Sequence, residues 1–125
     1  MKLSAIRIAN QLDLKGLKAF LDLKPLADTS SELFYGLTPE KYQYYFNYGV
    51  VVFSGYSEEE IRETVKTISP FLRSADTWLR DDHEIVEQAG VPLEFLFDQA
   101  IVDHIDEKVV RIGMFKIGRA SCRER

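Results

Sequence analysis

The feature that most restricts the fold of this 125-residue chain is the stretch 41–60, K-Y-Q-Y-Y-F-N-Y-G-V-V-V-F-S-G-Y-S-E-E-E. It holds Tyr42, Tyr44, Tyr45, Tyr48 and Tyr56, five of the chain's six tyrosines, with Phe46, Phe53 and the run Val50-Val51-Val52. Aromatic and β-branched side chains suit a pleated, packed surface, so the stretch predicts strands over 42–46 and 50–53. Asn47-Tyr48-Gly49 between them tolerates the positive φ of a tight reversal, which makes the two strands a hairpin. Either Val50 with Val52 or Val51 with Phe53 should face the core, the other pair lying on the second face of the sheet. Ser54-Gly55 ends the second strand. Ser57 with Glu60 then forms a capping box opening a helix.

The rest of the chain reads in the same terms. Residues 2–9 predict a first strand through Leu3, Ile6 and Ile8. Asp13 caps a short helix to Leu21, with Leu14, Leu17 and Leu21 at helical spacing. Residues 23–31 read as loop, 32–35 as a short strand. After Ser57, Ile61, Val65, Ile68 and Leu72 share one helical face, and Pro70 should stop or kink the helix after Ser69. Residues 74–80 fit neither period. Residues 82–88 and 93–98 predict a second hairpin around Ala89-Gly90-Val91-Pro92. Asp103 or Asp106 caps a last helix with Ile105, Val109 and Ile112 on one side, expected to run to Phe115. The order β-α-β-β-β-α-β-β-α predicts the α+β class: one antiparallel or mixed sheet, helices packed on one face, cut short within a C-terminal helix.

Two blocks carry a family resemblance. Residues 45–61, Y-F-N-Y-G-V-V-V-F-S-G-Y-S-E-E-E-I, are followed at a distance by Phe97-Asp98-Gln99-Ala100-Ile101-Val102. That second block continues through Asp106-Glu107-Lys108-Val109-Val110-Arg111-Ile112 to Met114-Phe115. In this order and spacing they resemble the family named for the yeast protein "required for meiotic nuclear division", a domain of unknown molecular activity with relatives in mitochondria, fungi and bacteria. The resemblance covers most of residues 1–115. It implies a non-catalytic assembly or scaffold role, homo-oligomerisation, and membrane contact through a hydrophobic segment near the C-terminus of the complete protein. It transfers no catalytic residue, because the family has none established.

Lys116 departs from the Asn that the family carries after its Met-Phe pair. The segment Ile117-Gly118-Arg119-Ala120-Ser121-Cys122-Arg123-Glu124-Arg125 reads as translated sequencing adapter. The expected organisation is therefore one domain over 1–116, the N-terminal part of a longer family domain, followed by a non-native tail over 117–125 that makes few core contacts. The net charge is −4; the tail holds three arginines and one glutamate, so residues 1–116 carry −6. An acidic chain without a Lys/Arg cluster is a poor partner for phosphate backbones, and no direct nucleic-acid binding is expected. The one cysteine, Cys122, lies in that tail, which leaves no disulfide or Cys-based metal site before it. Neither a signal peptide nor an apolar run of about 20 residues is present, so this stretch is expected to be cytoplasmic.

Candidate chemistry is sparse. Asp81-Asp82-His83-Glu84 combines carboxylates with imidazole, and Asp82, His83 and Glu84 with Asp103 are the candidate divalent-metal ligands of a metal-dependent hydrolase. Neighbours on a strand point to opposite faces, so at most two of that run converge, and a solvated acidic turn is the structural alternative. His83 and His104 have no Ser or Cys nucleophile in a recognisable elbow, and Gly49 and Gly55 do not form a phosphate loop. No cofactor is implied. The tyrosines without a basic groove read as sheet packing rather than a base-stacking platform. The face Ile105, Val109, Ile112 and Phe115 is the candidate interaction face. A third reading is a small-ligand sensor with its pocket beneath the aromatic hairpin.

Overall fold

The computed structural model describes residues 1–38, 40–90, 94–95, 99–102 and 105–123. Strand β1 (Lys2–Leu12) leads through helix α1 (Leu14–Leu21) to β2 (Ala27–Asp28), β3 (Glu32–Thr38), β4 (Lys41–Phe46) and β5 (Val50–Ser54). Helix α2 (Glu58–Ile68) and a 3₁₀ turn (Ser69–Phe71) follow, then β6 (Leu72–Glu87), β7 (Glu94–Phe95), β8 (Gln99–Val102) and helix α3 (Glu107–Arg123). Among the described residues the strands form one sheet in the order β2-β3-β4-β5-β1-β6-β8-β7. Every pairing is antiparallel except β6 with β8, which run parallel, so the fold is α+β with a mixed sheet.

The hairpin sits near the middle of this sheet. Tyr45 pairs with Val51 and Tyr42 with Ser54, and β5 lies against β1 from Leu3↔Ser54 to Arg7↔Val50. Gly49 makes the reversal at φ 88° and is held against β1, where the Ile8 N–H donates to its carbonyl at 3.0 Å. A Cβ on Gly49 would lie 2.0 Å from the Ala9 carbonyl oxygen, so only glycine fits there.

All of Val50 to Ser54 is buried, as is Tyr42 to Phe46. A sheet apolar on both faces needs a layer on each, and that is the difference from the expected single helical face. Val50 and Val52 join Leu3, Ala5, Phe34, Tyr44, Phe46 and Ile85 against Val110, Met114 and Ile117 of α3. Val51 and Phe53 join Ile6, Ile8, Leu33 and Tyr45 against Leu14 and Leu17 of α1 and Ile61, Val65 and Ile68 of α2. Two helices thus cover one face and the third covers the other.

The helix starts are as expected. Asp13 accepts from the Gly16 N–H at 3.1 Å. Ser57 and Glu60 close the capping box, at 3.2 Å from the Glu60 N–H to Ser57 Oγ and 3.0 Å from the Ser57 N–H to Glu60 Oε1. Helix α2 stops at Ile68, and Pro70 lies in the 3₁₀ turn behind it; Leu72 opens β6 rather than extending the helical face.

One open stretch is settled and two further expectations change. Residues 74–80, which fit neither period, lie within β6 as it runs the length of β1, with a register shift opposite Arg7 and Ala9. Among the described residues the second hairpin is not formed: β7 pairs with β8, and β6 takes β8 as a parallel neighbour from Glu84↔Gln99 to Glu87↔Val102. Finally α3, whose Val109 N–H is capped by Asp106 Oδ1 at 2.9 Å, does not end at Phe115. Val110, Met114 and Ile117 follow at helical spacing, so Ile117 is buried in the core and Gly118 lies against the Phe46 ring. These two residues therefore make the core contacts that the tail reading did not expect.

Candidate functional site

The charged run on β6 is sorted by the strand's alternation. Asp82 stands opposite Ser4 and Glu84 opposite Lys2, while Asp81 and His83 stand opposite Ala5 and Leu3. Cross-strand partners share a face, and Leu3 and Ala5 belong to the α3 side. Asp82 and Glu84 are thus separated from Asp81 and His83 by the sheet itself. Asp103 and His104 lie outside the described residues. Among the described residues no three His, Cys, Asp or Glu side chains group closely enough to hold a metal ion.

What the fold does assemble is a cleft of about 620 Å³ on the α2 side. Strand β1 lends it Lys2 and Ser4, β5 lends Phe53, the connection into α2 lends Tyr56 and Ser57, the first turn of α2 lends Glu58, and β6 lends Arg80, Asp82 and Glu84. Arg80 is its organising charge. Its Nη1 and Nη2 each lie 2.5 Å from an oxygen of Glu58, Nε is 3.1 Å from Asp82 Oδ1, and Nη2 is 3.1 Å from Ser4 Oγ. Ser4 Oγ donates in turn to Asp82 Oδ1 at 2.8 Å. The fork geometry of a guanidinium suits this double carboxylate contact. The hydrogen bond to Glu58 raises the Arg80 pKa, and the same bond lowers that of Glu58. Beside it, Glu60 pairs with Lys41. That hydrogen bond, with the Ser57 backbone N–H, pulls the Glu60 carboxyl down to about 2.

Tyr56 links the cleft to the interior. Gln43 Nε2 donates to the Tyr56 hydroxyl at 2.8 Å, and the buried Tyr45 hydroxyl donates to Gln43 Oε1 at 2.6 Å. Burial raises the pKa of Tyr45 and of Tyr56, the bond from Gln43 opposing it at Tyr56. On the opposite face the Tyr44 hydroxyl donates to Glu32 Oε1 at 2.6 Å. Burial first, then that bond, pushes Tyr44 up to about 12.

No family model, curated protein or solved structure matches the chain.

The candidate interaction face is mostly covered. Ile105, Val109 and Phe115 pack on the α3-side core, while Ile112 is exposed. More exposed apolar side chains stand elsewhere: Phe20 on α1, Leu23 and Leu26 after it, Leu37 on β3, and Leu79 on β6. Among the described residues no helix is long and apolar enough to cross a membrane. The cleft residues Lys2, Ser4, Glu58 and Arg80 were not singled out in the sequence. Their one signal is the period-2 placement of Arg80, Asp82 and Glu84, which becomes readable only when 74–80 is taken as strand.

Proposed function

We propose that this chain is a non-catalytic assembly module that forms homo-oligomers, the role implied by its resemblance to the "required for meiotic nuclear division" family. The observation that carries this reading is the exposure of Phe20, Leu23, Leu26 and Leu37 around α1 and the β2–β3 edge. Among the described residues that edge is covered by the short β2, through Ala27↔Phe34 and Asp28↔Leu33, and by the Leu26 N–H, which donates to the Phe34 carbonyl. Edge strands flanked by bare leucines favour pairing with another chain. Both oxygens of Glu58 are committed to Arg80, and Asp82 Oδ1 to Arg80 and Ser4, which supports a structural role for Glu58.

Light scattering coupled to size exclusion tests this. An oligomer that dissociates on Leu26→Asp or Leu37→Asp is expected. A monodisperse monomer at about 100 μM, in the micromolar range where weak assemblies form, overturns it. Hydrolysis of a phosphoester that depends on added Mn²⁺ and is lost in Asp82→Asn would support the metal-dependent alternative instead.

A further inference from the structure

The cleft beside α2 holds charges that the fold does not use. Arg80 and Glu58 neutralise each other, and Asp82 has only Oδ1 engaged. Lys2 and Glu84 are direct cross-strand partners, both exposed and both bordering the cleft. Among the described residues neither side chain makes a hydrogen bond or ion pair. Tyr56 accepts from Gln43, which leaves its own proton to donate to another acceptor. The wall opposite β6 is aromatic: Phe53 and Tyr56 meet edge-on with ring centroids 5.3 Å apart.

We infer that this cleft binds a small zwitterion with an apolar side chain, a free amino acid or the corresponding end of a short peptide. Lys2 and the Tyr56 hydroxyl take the carboxylate. Glu84 and the open oxygen of Asp82 take the ammonium, and the side chain lies along Tyr56, whose ring is backed by the buried Phe53. A simple anion fits less well, because Arg80, the cation best shaped for it, is closed by Glu58. A bare cation fits less well because Lys2 stands directly opposite Glu84. A ligand carrying both charges satisfies both at once, and a volume of about 620 Å³ falls within the range of small-molecule sites. The inference does not depend on the assembly reading, since neither Lys2 nor Glu84 belongs to the leucine-bearing edge.

The test is a backbone-amide NMR titration of the full chain with three probes: L-phenylalanine, phenylacetate, which lacks the ammonium, and phenethylamine, which lacks the carboxylate. L-Phenylalanine is expected to give saturable shifts at Lys2, Tyr56 and Glu84, with each half-ligand about ten-fold weaker or worse, the effect of losing one charge-assisted contact. Lys2→Met and Glu84→Gln, both at exposed positions, should each weaken L-phenylalanine by about the same factor while the remaining spectrum is unchanged. Equal binding of all three probes, undiminished binding by either variant, or no saturable shift up to about 10 mM, beyond the weak end of specific affinity, each overturns the proposal.

Discussion

The two faces of the sheet are packed by different means. On the α3 side the core is a column of rings: Phe34 lies parallel to Tyr42 at 5.6 Å, Tyr44 stacks on Phe46 at 4.5 Å, and Phe46 on Tyr48 at 5.2 Å. Helix α3 lies over this column with Gly113 close to Ile85 and Leu3. One polar clamp, Tyr44 to Glu32 with Arg111 of α3 at 3.5 Å, sits at its border. On the α1/α2 side the packing is mostly aliphatic, and a buried hydrogen-bonded chain from Tyr45 through Gln43 to Tyr56 runs inside it. There α2 is fixed by a capping box and by ion pairs from Glu58 to Arg80 and from Glu60 to Lys41. The contrast is one of distance along the chain. Helix α2 follows β5 after a few residues and is set by local signals, whereas α3 reaches partners some 60–110 positions upstream, such as Phe46 and Leu3, through apolar contact. Local unfolding should separate the two layers.

The largest effects come from the strand that serves both. Val51 and Val52 are each fully buried, one toward α1/α2 and one toward α3. Val51→Asp and Val52→Asp should each cost roughly 3–5 kcal/mol, because each places an uncompensated charge inside a layer. Urea unfolding checks this. If one of the two left the midpoint unchanged, that face would not be core.

A smaller loss is expected at the clamp. Glu32→Ala removes the acceptor of a fully buried tyrosine hydroxyl and should cost about 1–3 kcal/mol. Hydrogen exchange sharpens the comparison: the amides of Val110 and Met114 should lose protection while those of Ile61 and Val65 keep theirs. Equal loosening of α2 and α3 would mean that the two layers open together. Tyr44 adds an alkaline signature. Its pKa is raised, so the stability it contributes is complete below pH ~10, the ordinary tyrosine value, and is lost as pH rises toward about 12.

How far the sequence predicts this molecule follows the same division. The hairpin, the Ser57–Glu60 box and the Asp13 cap were legible because each is fixed by neighbours a few residues apart. The unbroken run Val50-Val51-Val52-Phe53 carried the two-sided burial as well, since a strand with one wet face alternates. Its consequence, helices on both faces, depends on where α3 lands, and no local residue specifies that. The length of β6 was hidden because Leu72 falls on the helical face of Ile61, Val65 and Ile68 and residues 74–80 fit neither period, while its pairing with β1 is entirely non-local. The cleft was illegible for the same reason: Lys2, Glu58 and Arg80 converge only through register.

On the local side, Ser57→Ala tests the cap itself. It removes the acceptor for the Glu60 N–H and should lower stability by ~1 kcal/mol without altering α3 protection. An unchanged urea midpoint would show that the ion pairs hold the helix start without it.

The smallest effect is the most selective. Glu58 and Glu60 both have lowered pKa values, Glu58 chiefly through Arg80 and Glu60 chiefly through Lys41, the latter reaching about 2. A depressed carboxylate gives stability that is complete above its unfolded value, ~4.3, and that fades as pH falls through the folded value. The window therefore opens near pH 4 and extends toward 2, with the unfolded chain taking up protons first. Both side chains are well exposed, so solvent and salt screen the pairs and the effect on global stability is small. It should still appear locally. At pH 3, after correction for intrinsic exchange, amides in the first turn of α2 should exchange faster than at pH 6, while Val110 and Met114 of α3 keep their protection. Lys41→Met should bring part of that change on at neutral pH by removing the principal partner of Glu60. If the first turn of α2 stayed equally protected at both pH values, the ionic contacts would contribute nothing to holding it. If α3 loosened in step with it, the contrast between the two layers would not extend to their dynamics.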